Sequence, residues 1–321
     1  MNPHNRTIVE YFIIQGLSDV PEAQAPIFVL ILMMYMLTLG GNLVILLLFC
    51  TDHRLHMPMY FFLANLSIID MCTSFITLHG VLLSFILKDK TIAVGTCMIQ
   101  MYIFSSVTVD ELLILMAMSY DRYTAICNPL YYHVVMSPIV CAMLVTLCWV
   151  LGFVQVFPIV FSLSSFHCYI SNVIEHFFCD VSALMKLRCD DLSFLELYIL
   201  INGSFLTIFP FFLTFFPYIF IIMAILKICS ITSRRKAFQT CSSHVTVVTL
   251  FYVTLICQYL RPSSTGGVGT NKLFSLFNTA AVPLLNPLIY SLKNKDVMEA
   301  LSRKLKLLHG KLHFLGERFN Y

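Results

Sequence analysis

An all-α membrane protein, a seven-transmembrane helix bundle with a short amphipathic cytoplasmic helix after helix seven, is the fold class that three features of this sequence predict. The 321 residues are 59% hydrophobic and only 12% charged, where soluble domains carry about 25% charged residues. Several apolar runs reach or exceed the roughly 18 residues that a spanning helix requires. The stretch from Cys97 to Arg122, about 37 Å long as a helix, would set a cysteine at one membrane face, an arginine at the other and the acids Asp110 and Glu111 between them. A soluble chain of this composition would aggregate, and a net charge of +3 is too small to point to nucleic acid.

In chain order, residues 1–26 are polar and read as an extracellular N-terminus. They contain the sequon Asn5-Arg6-Thr7, which makes Asn5 a glycosylation site. The first apolar run, residues 27–50, is too long and starts too late for a cleavable signal, so it is expected to be helix one and its own insertion signal. Its only strongly polar interior residue is Asn42. Helix two spans residues 58–87, with Pro58 suited to a first helical turn and Asp70 inside. Helix three follows the Lys88-Asp89-Lys90 loop, and helix four covers residues 139–161 with the single tryptophan, Trp149. A long polar loop, residues 162–193, precedes helices five (194–228), six (237–260) and seven (272–292). Pro210, Pro217, Pro283 and Pro287 fall inside helices and predict kinks, because neighbours in a bundle can satisfy the freed carbonyls. The transmembrane domain is thus residues 27–292. In the tail, residues 293–321, Val297, Met298, Leu301, Leu305 and Leu308 share one side of a helix, which would lie on the membrane surface.

Seven spans put the termini on opposite sides of the membrane. The side with the C-terminus carries thirteen of the twenty Lys and Arg residues and only five of the acids. The positive-inside rule makes that side cytoplasmic and the N-terminus extracellular, and the chain is expected to be a multi-pass protein of the plasma membrane. Four of the twelve cysteines, Cys97, Cys168, Cys179 and Cys189, fall at or beyond the outer face, where disulfides persist. Four cysteines allow three pairings. The pairing that tethers the long loop to the mouth of helix three joins Cys97 to Cys179 and leaves Cys168 with Cys189.

Several motifs stand at the ends of these helices. They are Gly41-Asn42, Leu55-His56-Met57-Pro58-Met59-Tyr60-Phe61-Phe62-Leu63, Leu66-Ser67 with Asp70, Met118-Ser119-Tyr120-Asp121-Arg122-Tyr123-Thr124-Ala125-Ile126-Cys127, His176-Phe177-Phe178-Cys179-Asp180, Lys236-Ala237-Phe238-Gln239-Thr240-Cys241-Ser242-Ser243-His244 and Pro283-Leu284-Leu285-Asn286-Pro287-Leu288-Ile289-Tyr290. In this order and at these positions the chain resembles the odorant receptors among the rhodopsin-like G-protein-coupled receptors, over essentially its whole length. It departs from that pattern at His79-Gly80, where Pro-Lys is usual, at Pro217, at Val253 and at the extra acid Asp110.

The resemblance implies a receptor and not an enzyme, with no cofactor, no catalytic residues and no transition-metal site. It implies a small volatile odorant as ligand, a stimulatory olfactory-type heterotrimeric G protein as partner and cyclic AMP as the output, within membrane lipid. A non-olfactory chemosensory receptor for a small metabolite is the alternative; a transporter would need an internal repeat that the sequence lacks. The resemblance implies that Arg122, paired with Asp121 and capped by helix six, forms a clasp holding the inactive state, with Tyr218 and Tyr290 as later partners and Tyr123, Lys236, Asn286 and Pro287 completing the switch. Steps of three and four outward from Arg122 give Met118, Leu115, Glu111, Thr108 and Phe104 as the inward stripe of helix three. Phe104, Ser105, Thr108 and Val109 from its outer part line the expected ligand pocket. By resemblance Asn202, Leu206, Tyr252, Leu255, Ile256, Tyr259, Leu276 and Thr279 form the other walls, a set suited to a largely uncharged ligand. Asp70 and Glu111 fall at one level of the membrane, where two bare charges are costly, so either a proton is shared or a cation sits between them. The resemblance implies a sodium ion, with Asn286 nearby.

Overall fold

The computed structural model describes residues 9–18, 20–165, 168–189, 193–259, 268–292 and 294–318. Seven of its helical stretches are long and apolar enough to cross a membrane. They are α1 (Pro21–Thr51), α2 (Pro58–Leu87), α3 (Val94–Cys127), α5 (Pro138–Ser164), α7 (Ser193–Leu226), α8 (Ile231–Tyr259) and the pair α9 (Val268–Leu276) and α10 (Val282–Leu292), joined by a π-helical turn at Phe277–Ala281. Between them lie two short helices, α4 (Tyr132–Val135) and α6 (Val181–Met185), and a last helix, α11 (Lys295–Arg318), follows α10. The seven-helix bundle with its C-terminal helix is therefore the architecture.

Helix boundaries follow local chemistry beyond the apolar runs. Proline sits in the first turn of α1, α2 and α5, where its missing N–H costs nothing. Pro21 with Glu22 behind it starts α1 six residues before the apolar run at Ile27, because a helix continues into water while hydropathy marks only its lipid-facing part. For the same reason α8 begins at Ile231, through the basic cluster at Arg234, and not at Ala237. The Ser137 hydroxyl caps α5 by accepting from the Val140 N–H.

Helix α3 is the axis of the bundle: 61% of its most apolar stretch is buried, against 22% for α1. The largest core cluster packs Leu63, Leu66 and Ile69 of α2 against Ile114 and Leu115 of α3, then Val248 and Phe251 of α8. In lipid this association rests on van der Waals packing more than on removal from water. Polar ties fix the register. The Trp149 indole N–H donates to Asn65 Oδ1 at 3.3 Å. Asn42 Nδ2 donates to the Pro283 carbonyl at 3.1 Å. That carbonyl is the one left without an intrahelical donor by Pro287, four residues on. Gly41 makes room for the same proline: a Cβ there would lie 3.2 Å from Pro287 Cγ.

One end of the bundle carries a small sheet absent from the sequence-based reading. Strands β1 (Tyr11–Ile14), β2 (Thr91–Ala93) and β3 (Val173–Ile174) lie in the order β2-β1-β3, β1 antiparallel to β2 and parallel to β3. Strands this short give no periodic signal, although Phe12 is fully buried beside the exposed Tyr11. Beneath the sheet Cys97 is bonded to Cys179, and Cys168 to Cys189. At the other end, the Arg122 end, α11 is fastened to the end of α1 by an Arg303–Asp52 ion pair at 2.8 Å and by Lys304 donating to the Thr51 carbonyl. The Arg303 bond holds the Asp52 carboxyl below its ordinary range. Val297 and Ala300 of α11 pack into the core, while Met298, Leu305 and Leu307 are exposed.

Candidate functional site

Midway along the bundle, Asp70 of α2, Glu111 of α3 and Asn286 of α10 come together. Asn286 Nδ2 donates to both Asp70 oxygens, at 2.9 and 3.1 Å. Glu111 lies in electrostatic contact with Asp70 and beside Asn286. Both carboxyls are buried, at 1% and 3% exposure. Glu111 Oε1 and Asn286 Oδ1 have no hydrogen-bond partner, nor do the hydroxyl oxygens of Ser67 and Ser74, three residues before and four after Asp70. The donor set is all oxygen with two carboxylates, the chemistry that suits a hard cation, so the residues fit a sodium ion.

At the Arg122 end lies a cavity of ≈ 620 Å³ that sets the polar groups of Tyr60, Asp121, Arg122, Gln239, Tyr290 and Asp296 among apolar side chains such as Met57, Met59 and Ile289. Arg122 and Asp121 do not clasp one another. Adjacent residues of a helix point about 100° apart, so they do not face each other. Asp121 turns to α4 and accepts from the Tyr132 hydroxyl at 2.9 Å, while Arg122, whose Nε has no partner, turns to the cavity. Burial and the adjoining Asp121 carboxylate push the Tyr132 hydroxyl up from its ordinary pKa. Tyr60 reaches from α2 to Asn294 and Asp296 at 3.1 and 2.9 Å, joining α2 to the start of α11.

Above Arg122, Tyr218 of α7 and Tyr290 of α10 flank His244 of α8. The Tyr218 hydroxyl is hydrogen-bonded to His244 Nδ1, and the His244 and Tyr290 rings stand 6.2 Å apart. Neither His244 Nε2 nor the Tyr290 hydroxyl has a partner. His244 closes the Lys236–His244 motif. The signal that finds it is helical spacing, since it lies eight residues before Tyr252 and so on the same inward face. Tyr132 carried no such signal. Tyr123 instead packs edge-on against Phe220 of α7, outside the cavity. The side chain of Lys236 lies outside the described residues, as does Asn5.

The expected pocket residues fall into two groups. Phe104 is buried edge-on against Phe178 of the long loop, at 4.7 Å between ring centres, with Leu276 of α9 in the same cluster. Tyr252 and Leu255 belong to the central core beside Val109, and Tyr252 stands edge-on to Phe211 at 5.3 Å. Between them, Thr108 donates to the Phe104 carbonyl and Thr279 to the Ser275 carbonyl, so neither hydroxyl proton is spare. Asn202 has a buried Nδ2 without a partner, Ser105 and Leu206 are half-buried, and Ile256 keeps 39% of its surface open. The side chain of Tyr259 lies outside the described residues. Asn278, not anticipated, bridges α8 to the π-helical turn: it is bonded to Thr254 and donates to Gln258 at 3.1 Å.

A family model described as olfactory receptor matches residues 31–307. The chain is 44% identical to human "Olfactory receptor 8U8" over 93% of its own length and 94% of the relative's. It is 44% identical to mouse "Olfactory receptor 8U9", covering 93% and 95%, and 42% identical to human "Olfactory receptor 8J3", covering 94% and 96%.

Proposed function

The chain belongs to the olfactory receptor family of class A G-protein-coupled receptors, and from that premise we propose that it binds small, largely apolar volatile ligands within the sheet-end half of the bundle and activates a stimulatory olfactory-type heterotrimeric G protein, raising cyclic AMP. In this reading the N-terminus is extracellular and the Arg122 end cytoplasmic, in line with the excess of basic residues there.

The observation that carries the coupling is the cavity at the Arg122 end. It is concave and lined by Arg122, a cation that makes no ion pair with Asp121 among the described residues. A helix ending in free carbonyls, inserted from the G protein, would meet Arg122 there. Ligand in the other half would bind between Phe104, Ser105, Thr108, Leu276 and Thr279 on one side and Val109, Asn202, Leu206, Tyr252, Leu255 and Ile256 on the other. The apolar members supply contact, and the unpartnered Asn202 amide supplies orientation. Movement of α8 relative to α3 is the transmitted change: Tyr252 on the ligand side and His244 on the Arg122 side share one face of α8, so a shift felt by Tyr252 moves the Tyr218–His244 contact. Asp70, Glu111 and Asn286 would hold a sodium ion, whose charge would neutralise the paired carboxylates in the unactivated packing.

The test is nucleotide exchange on a purified stimulatory G protein by the receptor in lipid nanodiscs against an odorant panel. Exchange driven by members of the panel supports the reading; a receptor that binds odorants saturably but drives no exchange on any G protein contradicts it.

A further inference from the structure

We propose that Asn278 is a positioning residue for signalling, its carboxamide a two-point latch that holds α8 in the unactivated register against the π-helical turn. This rests on the reading that α8 moves when ligand binds, and it names the side chain that restrains the movement. Asn278 stands in the Phe277–Ala281 turn, where the Val282 N–H donates to the Phe277 carbonyl five residues back. Single π-helical turns of this kind recur at functional sites. Asn278 Oδ1 accepts from the Thr254 hydroxyl, and its Nδ2 donates to Gln258 Oε1 at 3.1 Å. Thr254 and Gln258 are four residues apart on α8, so one side chain grips two successive turns of a single helix face. Asn278 and Thr254 are both buried, where water does not compete for these bonds.

Two features make this contact a latch that can open. The first is what lies beneath it. Going back from Thr254 by steps of three and four, the same face of α8 presents Phe251 and Val247, both buried in the apolar core that includes Val282. Apolar contact is non-directional. Two hydrogen bonds to one planar carboxamide instead set both the height and the rotation of α8. Among the described residues, both side-chain hydrogen bonds that join α8 to this turn end on Asn278. The second feature is the Thr254 proton. A hydroxyl has one proton to give, and three acceptors stand within its reach: Asn278 Oδ1 and the Leu250 and Phe251 carbonyls of its own helix, each of these at 2.9 Å. As α8 moves away, the hydroxyl turns to the Leu250 carbonyl, one helical turn back, and keeps a partner. The loss falls on Asn278 Oδ1, left buried without that donor. The latch therefore biases α8 toward the unactivated register without barring the other.

The experiment measures spin-label distances in the purified, unliganded receptor in nanodiscs. The labels sit on Tyr131→Cys and Phe238→Cys, exposed positions toward the Arg122 end, after Cys50, Cys72, Cys127, Cys229 and Cys257 are changed to serine. Asn278→Ala is expected to raise the long-distance population at least threefold over the parent. Thr254→Val, which removes the hydroxyl at constant shape, should raise it less, and the double variant no further than Asn278→Ala. Thr254→Ser keeps the hydroxyl and should match the parent. Val282→Ala, which loosens the same interface without touching either bond, should lower the melting temperature and leave the distances unchanged. An unchanged distribution in Asn278→Ala, or an equal shift in Val282→Ala, would overturn the latch. Because neither odorant nor G protein enters the measurement, its failure is distinct from a failure to signal.

Discussion

The buried acid Asp110 shows how one side chain constrains the bundle. It is fully buried, neither oxygen has a partner, and it lies against Gly152 of α5, where a Cβ would fall 1.9 Å from Asp110 Oδ1 and 2.9 Å from the Ser106 carbonyl. Gly152→Ala is therefore expected to destabilise the receptor by about 1–3 kcal/mol through overpacking. Asp110→Ala should recover part of that loss, since the Ser106 contact remains. Equal melting temperatures for Gly152→Ala and the parent would refute the contact. His176 makes a pH-dependent case outside the membrane. Burial lowers its pKa, outweighing Asp180, which favours its charged form, while Lys272 and Lys186 disfavour it. Neutral His176 accepts or donates at Ser275 Oγ, 3.1 Å away. Because the folded-state pKa lies below the unfolded value of about 6.5, its contribution is fully present above that pH and is lost as pH falls below it. The melting temperature should drop from pH 7.5 to pH 5.5, and less so in His176→Gln; an identical drop would exclude His176 as the cause. At this scale the inward stripe Phe104, Glu111 and Met118 was legible because it follows from helical period alone, all three being buried. The direction of Asp121 toward Tyr132 was not, since its partner comes from a four-residue helix that no periodicity announces.

Between elements, proline and its compensation decide the packing of α1 on α10. Asn42→Ala would leave the Pro283 carbonyl buried without a donor, a cost of about 1–3 kcal/mol. Adding Pro287→Ala restores an N–H at position 287 that can reach that carbonyl, so the double variant should be less destabilised than the sum of the two single ones. Strict additivity in a double-mutant cycle would show that the two residues do not act together. The loop tether is the second inter-element device. Cys179→Ser and Cys97→Ser are expected to lower surface expression to the same extent, and the double variant no further, because all three break one bond. A graded loss would contradict it. The apolar runs located all seven spans, yet water-side turns such as the start of α8 escaped them because hydropathy reports lipid contact and not helicity. The sheet was illegible for another reason: β1 gains its order from partners some 80 and 160 residues away, β2 and β3, and its own four residues specify little.

Across the whole molecule, α3, α8 and the mid-bundle acids join an apolar half under the long loop to the cavity at Arg122. If a sodium ion lies between Asp70 and Glu111, raising sodium at fixed ionic strength and pH should reduce odorant potency, and Asp70→Asn or Glu111→Gln should each remove that dependence. Potency flat in sodium would leave the shared proton. The seven-helix architecture was readable from the apolar runs, and the common level of Asp70 and Glu111 from residue counts along two helices, whereas Asn286 beside them was implied by the family resemblance alone. The division of the pocket residues between two packed clusters was not readable, because Phe104 joins one of them through Phe178 of the long loop, a contact that helical period does not announce. Whether ligand in one half is read out at Arg122 in the other is decided by odorant-stimulated nucleotide exchange measured beside odorant binding in the same nanodisc preparation. Arg122→Ala should retain odorant affinity within about threefold and lose exchange, a separation of roughly 0.7 kcal/mol in binding from complete loss of output. Full exchange by Arg122→Ala, at parental potency, would contradict the account.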